Sequence, residues 1–387
     1  YSVAIGLSMA ATALVARRTG EKNHDEAGRA GMQALLLAGF LSVLISIAGV
    51  YFASDILRLM GAPPEVIAVG LPYARIQFGF NIVIMMLFLI NGIFRGAGDP
   101  SIAMRSLWLA NICNIILCPI LIFGVGSWDG FGLTGAAMAT TIGRGTGVCY
   151  QLFHLFSGKR IIKIKRSHLT PDWKILRSLV DISWTATAQF LIGSASWIVL
   201  TKIVAQFGSA AIAGYAVALR IITFFILPAW GLSNAAATLV GQNLGAKQPQ
   251  RAEDSVWKTA KYNAIFMTLV SLGFLLGSES IIRFMNDDAA VEKIATEALR
   301  IISLGYIFFG VGMVITSSLN GAGDTKTPTW INLFGFWAFQ IPLAYLLAIT
   351  FKLGPRGVFF AVIIAEAAIT IAGVLIFRRG KWKLIKI

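Results

Sequence analysis

Charge is what this sequence has least of. Only 13% of its 387 residues are Asp, Glu, Lys or Arg, against about 25% in an ordinary soluble domain. Cysteine is almost absent: Cys113, Cys118 and Cys149 all fall inside apolar runs, which suggests neither a disulfide framework nor a metal cluster. The three histidines, His24, His154 and His168, lie in or near polar loops and form no catalytic constellation. No Gly-x-x-x-x-Gly-Lys-Ser/Thr occurs, so the chain itself does not hydrolyse ATP, and no enzyme activity is read from it.

What is abundant is apolar: 57% of the residues. The net charge of +15 invites a nucleic-acid reading, but the basic residues sit in the gaps between apolar runs. That is the pattern of cytoplasmic loops in a polytopic membrane protein, so nucleic acid is not a partner. A spanning helix needs about 20 mostly apolar residues. That rule gives a partial span at 1–16 and full spans at 31–53, 68–94, 102–123 and 132–156. Six more follow at 178–205, 210–240, 256–277, 296–319, 329–351 and 357–377.

The chain repeats itself. Phe94-Arg95-Gly96-Ala97-Gly98-Asp99-Pro100 returns as Leu319-Asn320-Gly321-Ala322-Gly323-Asp324, a shift of 321 − 96 = 225. Gly6-Leu7-Ser8-Met9-Ala10-Ala11 returns at the same shift as Gly231-Leu232-Ser233-Asn234-Ala235-Ala236. Two copies of one unit are expected. The partner of the 178–205 helix would then precede residue 1. The expected architecture is all-α, with two six-helix lobes related by a pseudo-two-fold axis along the membrane normal. The first helix and part of the second would be missing from this chain. Residues 1–156 form the first lobe (helices 2–6 of 12), and 157–177 are a basic connector. Residues 178–377 form the second lobe (helices 7–12), and 378–387 are a basic tail.

Loop charges set the orientation. Arg17, Arg18, Lys22 and Arg29 share one side with Lys159, Arg160, Lys163, Lys165, Arg166, Lys174 and Arg177 of the connector, and with Arg378, Arg379, Lys381, Lys383 and Lys386 of the tail. Positive-inside makes that side cytoplasmic. Loops with Asp55, Arg58 and Glu65, and with Glu279, Asp287, Asp288 and Glu292, face the other way.

In the repeated phrase, Gly96, Gly98, Gly321 and Gly323 are expected just past helix ends, where a left-handed residue costs glycine little. Asp99 reads as an N-cap with Pro100 at the first helical position, and Thr327-Pro328 beyond Asp324 can do the same. The turn is either a tight connection or a hinge. Pro228 is expected to kink the 210–240 helix, as Pro119 and Pro342 could theirs.

With these residues the sequence resembles the multidrug and toxic compound extrusion (MATE) family. The resemblance rests on the two Gly-Ala-Gly-Asp turns, Leu239-Val240-Gly241-Gln242-Asn243-Leu244-Gly245, Asn114 to Gly124, Gly135-Ala136-Ala137-Met138-Ala139-Thr140 and Phe377-Arg378-Arg379-Gly380. It is closer to the prokaryotic DinF-like than to the NorM-like branch. It implies multidrug efflux through a cleft between two lobes. The antiporter would export cationic, amphiphilic compounds in exchange for H⁺ or Na⁺, by alternating access. It would work as a monomer in the inner (plasma) membrane, with no other cofactor. A lipid or lipid-linked oligosaccharide flippase of the same superfamily is the alternative. A channel or receptor is disfavoured, since no filter-like segment is present.

Ionisable groups inside a bilayer are costly and functional by default. Glu366, mid-way along the last apolar run, is therefore the coupling-ion candidate. Near the lobe ends the shift becomes 357 − 135 = 222, which puts Arg144 at the matching place in the first lobe. Asn111, Asn114 and Cys118 share a helix face. The family often carries Asp where Cys118 stands. Thr140, Gln189, Arg220 and Asn234 complete the polar candidates for a cleft or pocket.

Overall fold

A computed structural model of the chain describes residues 1–158, 160–285, 288–385 and 387; Lys159, Asp287 and Lys386, counted above among the loop charges, lie outside them. Every apolar run expected from the sequence is helical. The helices are α1 (Ser2–Gly20), α2 (His24–Tyr51), α3 (Ala53–Leu59), α4 (Pro64–Gly79), α5 (Asn81–Gly96), α6 (Pro100–Phe123), α7 (Leu133–Phe156) and α8 (Trp173–Ala205). They continue as α9 (Ser209–Gly245), α10 (Pro249–Met285), α11 (Ala289–Ser303), α12 (Tyr306–Ala322), α13 (Lys326–Asn332), α14 (Ile341–Tyr345) and α15 (Pro355–Arg378). Among the described residues, seven stretches are single spans long and apolar enough to cross a membrane, and two bent pairs would make nine. The chain divides into two compact units, Tyr1–Trp184 and Thr185–Ile387.

The repeat is written in the backbone. α1 ends on Lys22 in the left-handed conformation (φ 59°), and α9 ends on Lys247 (φ 58°), 225 residues later. Each turn closes with the same two bonds. Lys22 N–H donates to Thr19 O (3.0 Å) and Asn23 N–H to Arg18 O (3.0 Å); Lys247 donates to Leu244 (3.0 Å) and Gln248 to Asn243 (2.8 Å). This is the Schellman pattern, which satisfies helix-end carbonyls. It recurs at Gly98 (φ 84°) and Gly323 (φ 91°).

Gly96 and Gly321 do something else. They do not follow the helix; they occupy the last turns of α5 and α12 and let another helix come close. A Cβ on Gly96 would lie 2.8 Å from Thr12 O, and one on Gly321 would lie 2.2 Å from Ala237 O. Thr12 and Ala237 are themselves 225 apart. Asp99 stands at the N-cap of α6 with Pro100 at the first position, but caps no backbone N–H. Its carboxylate accepts from Ser101 Oγ (2.6 Å) and faces Arg160 (3.5 Å). In the second copy the helix starts earlier than expected, at Lys326. Asp324 accepts from Thr327 N–H at 3.1 Å and Thr327 Oγ1 at 2.7 Å.

Two expected spans are broken. The 68–94 run bends by 45° between α4 and α5, and the 296–319 run by 55° between α11 and α12. The breaks at Phe80 and at Leu304–Gly305 again match at the repeat shift. The 329–351 run is also irregular, with π-helix at Leu333–Gln340 and Leu346–Thr350 on either side of α14. Pro342 supplies no N–H and crowds the carbonyl one turn back, so the neighbouring turns widen. By contrast, α9 stays one helix through Pro228.

In the first unit the connector packs on α2. Gln33 Nε2 donates to the carbonyls of His168 (2.8 Å) and Thr170 (2.9 Å), and its Oε1 accepts from Asp172 N–H at 3.0 Å. One buried amide thereby satisfies three backbone groups of an irregular segment. In the second unit the tail packs on α10. Trp382 is buried, stacks on Phe377 at 4.7 Å and donates Nε1–H to Phe377 O at 2.9 Å.

Candidate functional site

The interior of the second unit holds two apolar clusters stacked along the helices. One includes Ala229, Met267, Phe309 and Val362. The other includes Ala236, Ala260, Val314 and Phe377. Each of α9, α10, α12 and α15 contributes to both clusters. Between the two contributions each helix carries small or polar residues: Ser233, Asn263, Gly310 and Gly312, Glu366 and Thr370.

Most of this seam is tied by hydrogen bonds, and Glu366 is not. Ser233 Oγ donates to Ala229 O (2.9 Å), Asn263 Nδ2 to Gly310 O (2.9 Å) and Thr370 Oγ1 to Phe308 O (2.8 Å). The Glu366 carboxyl makes no hydrogen bond or ion pair among the described residues, although it is only 9% exposed. It is also the one buried acidic side chain among them. A carboxyl held this way is costly unless its charge is met by something that comes and goes.

A neighbour missed in the sequence is Gln340, the last residue of the first π stretch. It is buried, and its Nε2 has no partner. Gly357 packs on Ala348 and Gly335 on Ile369. These contacts set an antiparallel register in which Gln340 stands opposite the turn of α15 carrying Ala365 and Glu366. π-Helical turns are frequent at functional sites. An amide in the middle of the apolar 329–351 run is the sequence signal for it.

None of the other second-unit candidates shares a hydrogen bond or ion pair with Glu366 among the described residues. Gln189, on α8, is buried with Oε1 unpartnered. Arg220 is exposed. Asn234 spends its amide on its own helix, donating to Trp230 O at 3.0 Å.

In the first unit, Arg144 donates to the Tyr1 hydroxyl (2.8 Å) and lies over its ring at 5.8 Å. Asn114 Nδ2 reaches Thr140 Oγ1 at 3.4 Å, and Thr140 donates to Ala136 O at 2.9 Å. Asn111, on the same face, is exposed, while Cys118 is a half-buried free thiol.

Two polar side chains of the first unit, one buried and one half-buried, have no sequence signal. Gln151 Nε2 donates to Asn91 Oδ1 (2.6 Å) and Ser106 Oγ (2.8 Å), joining α5, α6 and α7. Arg95 in the repeated phrase is half-buried and donates to Ser8 Oγ at 3.2 Å. Its side chain runs back along α5, because helical side chains lean toward the N-terminus. Among the described residues no His, Cys, Asp and Glu cluster could hold a metal ion.

Known proteins resemble this chain along nearly its whole length. The sequence model of the MatE family matches residues 1–120 and 186–346. The chain is 28% identical over 360 residues to the probable multidrug resistance protein YoeA of Bacillus subtilis (strain 168), covering 92% of this chain and 78% of that protein. It is 24% identical over 386 residues to the probable multidrug resistance protein NorM of Thermotoga maritima, covering 98% of this chain and 82% of that one. The solved structure of a MOP superfamily transporter from Pyrococcus furiosus matches with a TM-score of 0.93 at 24% identity, over 100% of this chain and 86% of that chain. This last likeness speaks for the fold.

Proposed function

The chain belongs to the MatE family of transporters, and from that premise we propose that it is a secondary active antiporter for small organic, mainly cationic and amphiphilic compounds. It exports them across the inner membrane in exchange for H⁺ or Na⁺, by alternating access, with its basic loops in the cytoplasm and as a monomer. The names of YoeA and NorM support a drug-like cargo.

The observation that carries the coupled part is Glu366. An exchanger needs a group whose charge is met by the ion in one step and left free in the next. A carboxyl between two apolar clusters, without a fixed counter-charge, meets that need. Gln340, on the facing turn with its Nε2 unpartnered, is the candidate donor for the ionised form.

The test is dye efflux from cells that lack their own pumps, driven by a proton gradient alone and then by a sodium gradient alone. Efflux with either gradient supports export and names the ion. No efflux with either, from inserted and folded protein, overturns the reading and makes labelled-lipid flipping the next assay.

A further inference from the structure

A cavity of the second unit opens beside α15, on the C-terminal-tail side of the turn that carries Ala368 and Ile369. It holds about 610 Å³ between α13, the π stretch that follows it, and α15. Its walls are apolar: Trp330 and Phe334, stacked at 5.8 Å, face Ile369 and Ile376. At one end it is bounded by Arg379, Lys381 and Trp382. The tail makes that end. Gly380 takes the left-handed conformation (φ 71°) and turns the chain back, so that Trp382 can stack on Phe377 as a floor.

The basic residues of the tail are divided between two faces. Arg378 lies over the Trp257 ring at 5.5 Å, and Lys383 is ion-paired with Glu253, so both serve the packing on α10. Arg379 and Lys381 are exposed at the cavity mouth with no ion pair among the described residues. Asp324, the acidic residue among those lining the cavity, accepts from Thr327 on both oxygens and makes no ion pair among the described residues. The first unit is different at this place: its Asp99 faces Arg160 at 3.5 Å, so acid and base answer each other there.

An apolar slot as deep as a few side chains, a tryptophan at either side and two unanswered cations at one end describe one kind of occupant. We propose that this cavity binds an anionic phospholipid of the cytoplasmic leaflet. Its phosphate would sit against Arg379 and Lys381, and an acyl chain would lie between Phe334 and Ile369. The placement in that leaflet rests on the proposed orientation of the basic loops. Basic pockets between helices at the cytoplasmic face select anionic headgroups by charge, and the tryptophan rings suit the interface. Neither Glu366 nor Gln340 is among the residues that line it.

The test uses the purified full chain in neutral detergent, titrated with phosphatidylglycerol or phosphatidylcholine, with retained lipid counted by native mass spectrometry. Wild type retains phosphatidylglycerol in preference to phosphatidylcholine. The double variant Arg379→Gln/Lys381→Gln retains it about thirty-fold less well, the size expected for two interfacial cations. The control Arg378→Gln/Lys383→Gln removes as much charge from the other face and keeps the preference. Ala372→Trp fills the slot without touching charge, and also loses the lipid. Equal retention of the two lipids, or unchanged retention in the double variant, overturns the proposal. Displacement by inorganic phosphate alone would mark a headgroup-only anion site, and displacement by an exported drug would mark a drug site; either overturns it too.

Discussion

Gln151 of the first unit and Glu366 of the second are both buried polar side chains on the last long helix of their unit, and they are treated in opposite ways. Gln151 donates to two side chains on two other helices. Glu366 has no partner among the described residues. Around them the backbones are near copies: left-handed Lys22 and Lys247, Schellman turns at Gly98 and Gly323, and bends at Phe80 and at Leu304–Gly305. The duplication has kept the turns and helix breaks, while the buried polar chemistry has diverged. In the first unit Gln151 ties helices together, while in the second unit Glu366 ties none.

The comparison can be broken first at the close-approach glycines. Gly321→Ala forces a methyl to 2.2 Å from a backbone oxygen and should destabilise by about 3 kcal/mol, read as a fall in melting temperature in detergent. Gly96→Ala has more room, 2.8 Å, and should cost about 1–2 kcal/mol. Equal losses would show that the two units pack alike after all. Next in size is Gln151→Leu. It removes two buried hydrogen bonds, to Asn91 and Ser106, and should cost about 2 kcal/mol, while the ion dependence of efflux stays unchanged. An altered ion dependence would give the first unit a chemical role that the account denies it.

The smallest effects carry a sign. Gly98→Ala and Gly323→Ala put a side chain at positive φ and should each cost about 1 kcal/mol. Lys22→Gly and Lys247→Gly relieve that same conformation and should each gain about 0.5 kcal/mol in thermal melts. A loss at Lys22 matched by a gain at Lys247 would mean that the turns are copies in shape only.

These results also separate what the sequence makes legible from what it hides. The helices, the repeat and the turn at Gly98 follow from apolar runs and glycine spacing, which are local. The bends do not, because an apolar run reads the same whether straight or broken. Gly96 was taken for a turn residue, since a sequence cannot say which helix will lie against it. Glu366 stood out because a carboxylate in an apolar run needs no partner to be noticed. Asn91, Ser106 and Gln151 did not, for their bonds join residues 45 and 60 apart along the chain. Arg95 was hidden in plain view: its place in a turn phrase suggested solvent, but its side chain reaches back to Ser8.

The central claim is that Glu366 couples transport to an ion and does not hold the unit together. The measurement is made on Glu366→Gln in proteoliposomes, comparing gradient-driven efflux with substrate counterflow, which needs no ion exchange. The account predicts that gradient-driven efflux falls at least about ten-fold (some 1.4 kcal/mol) while counterflow and melting temperature stay near wild type. Gradient-driven efflux at the wild-type rate would contradict it.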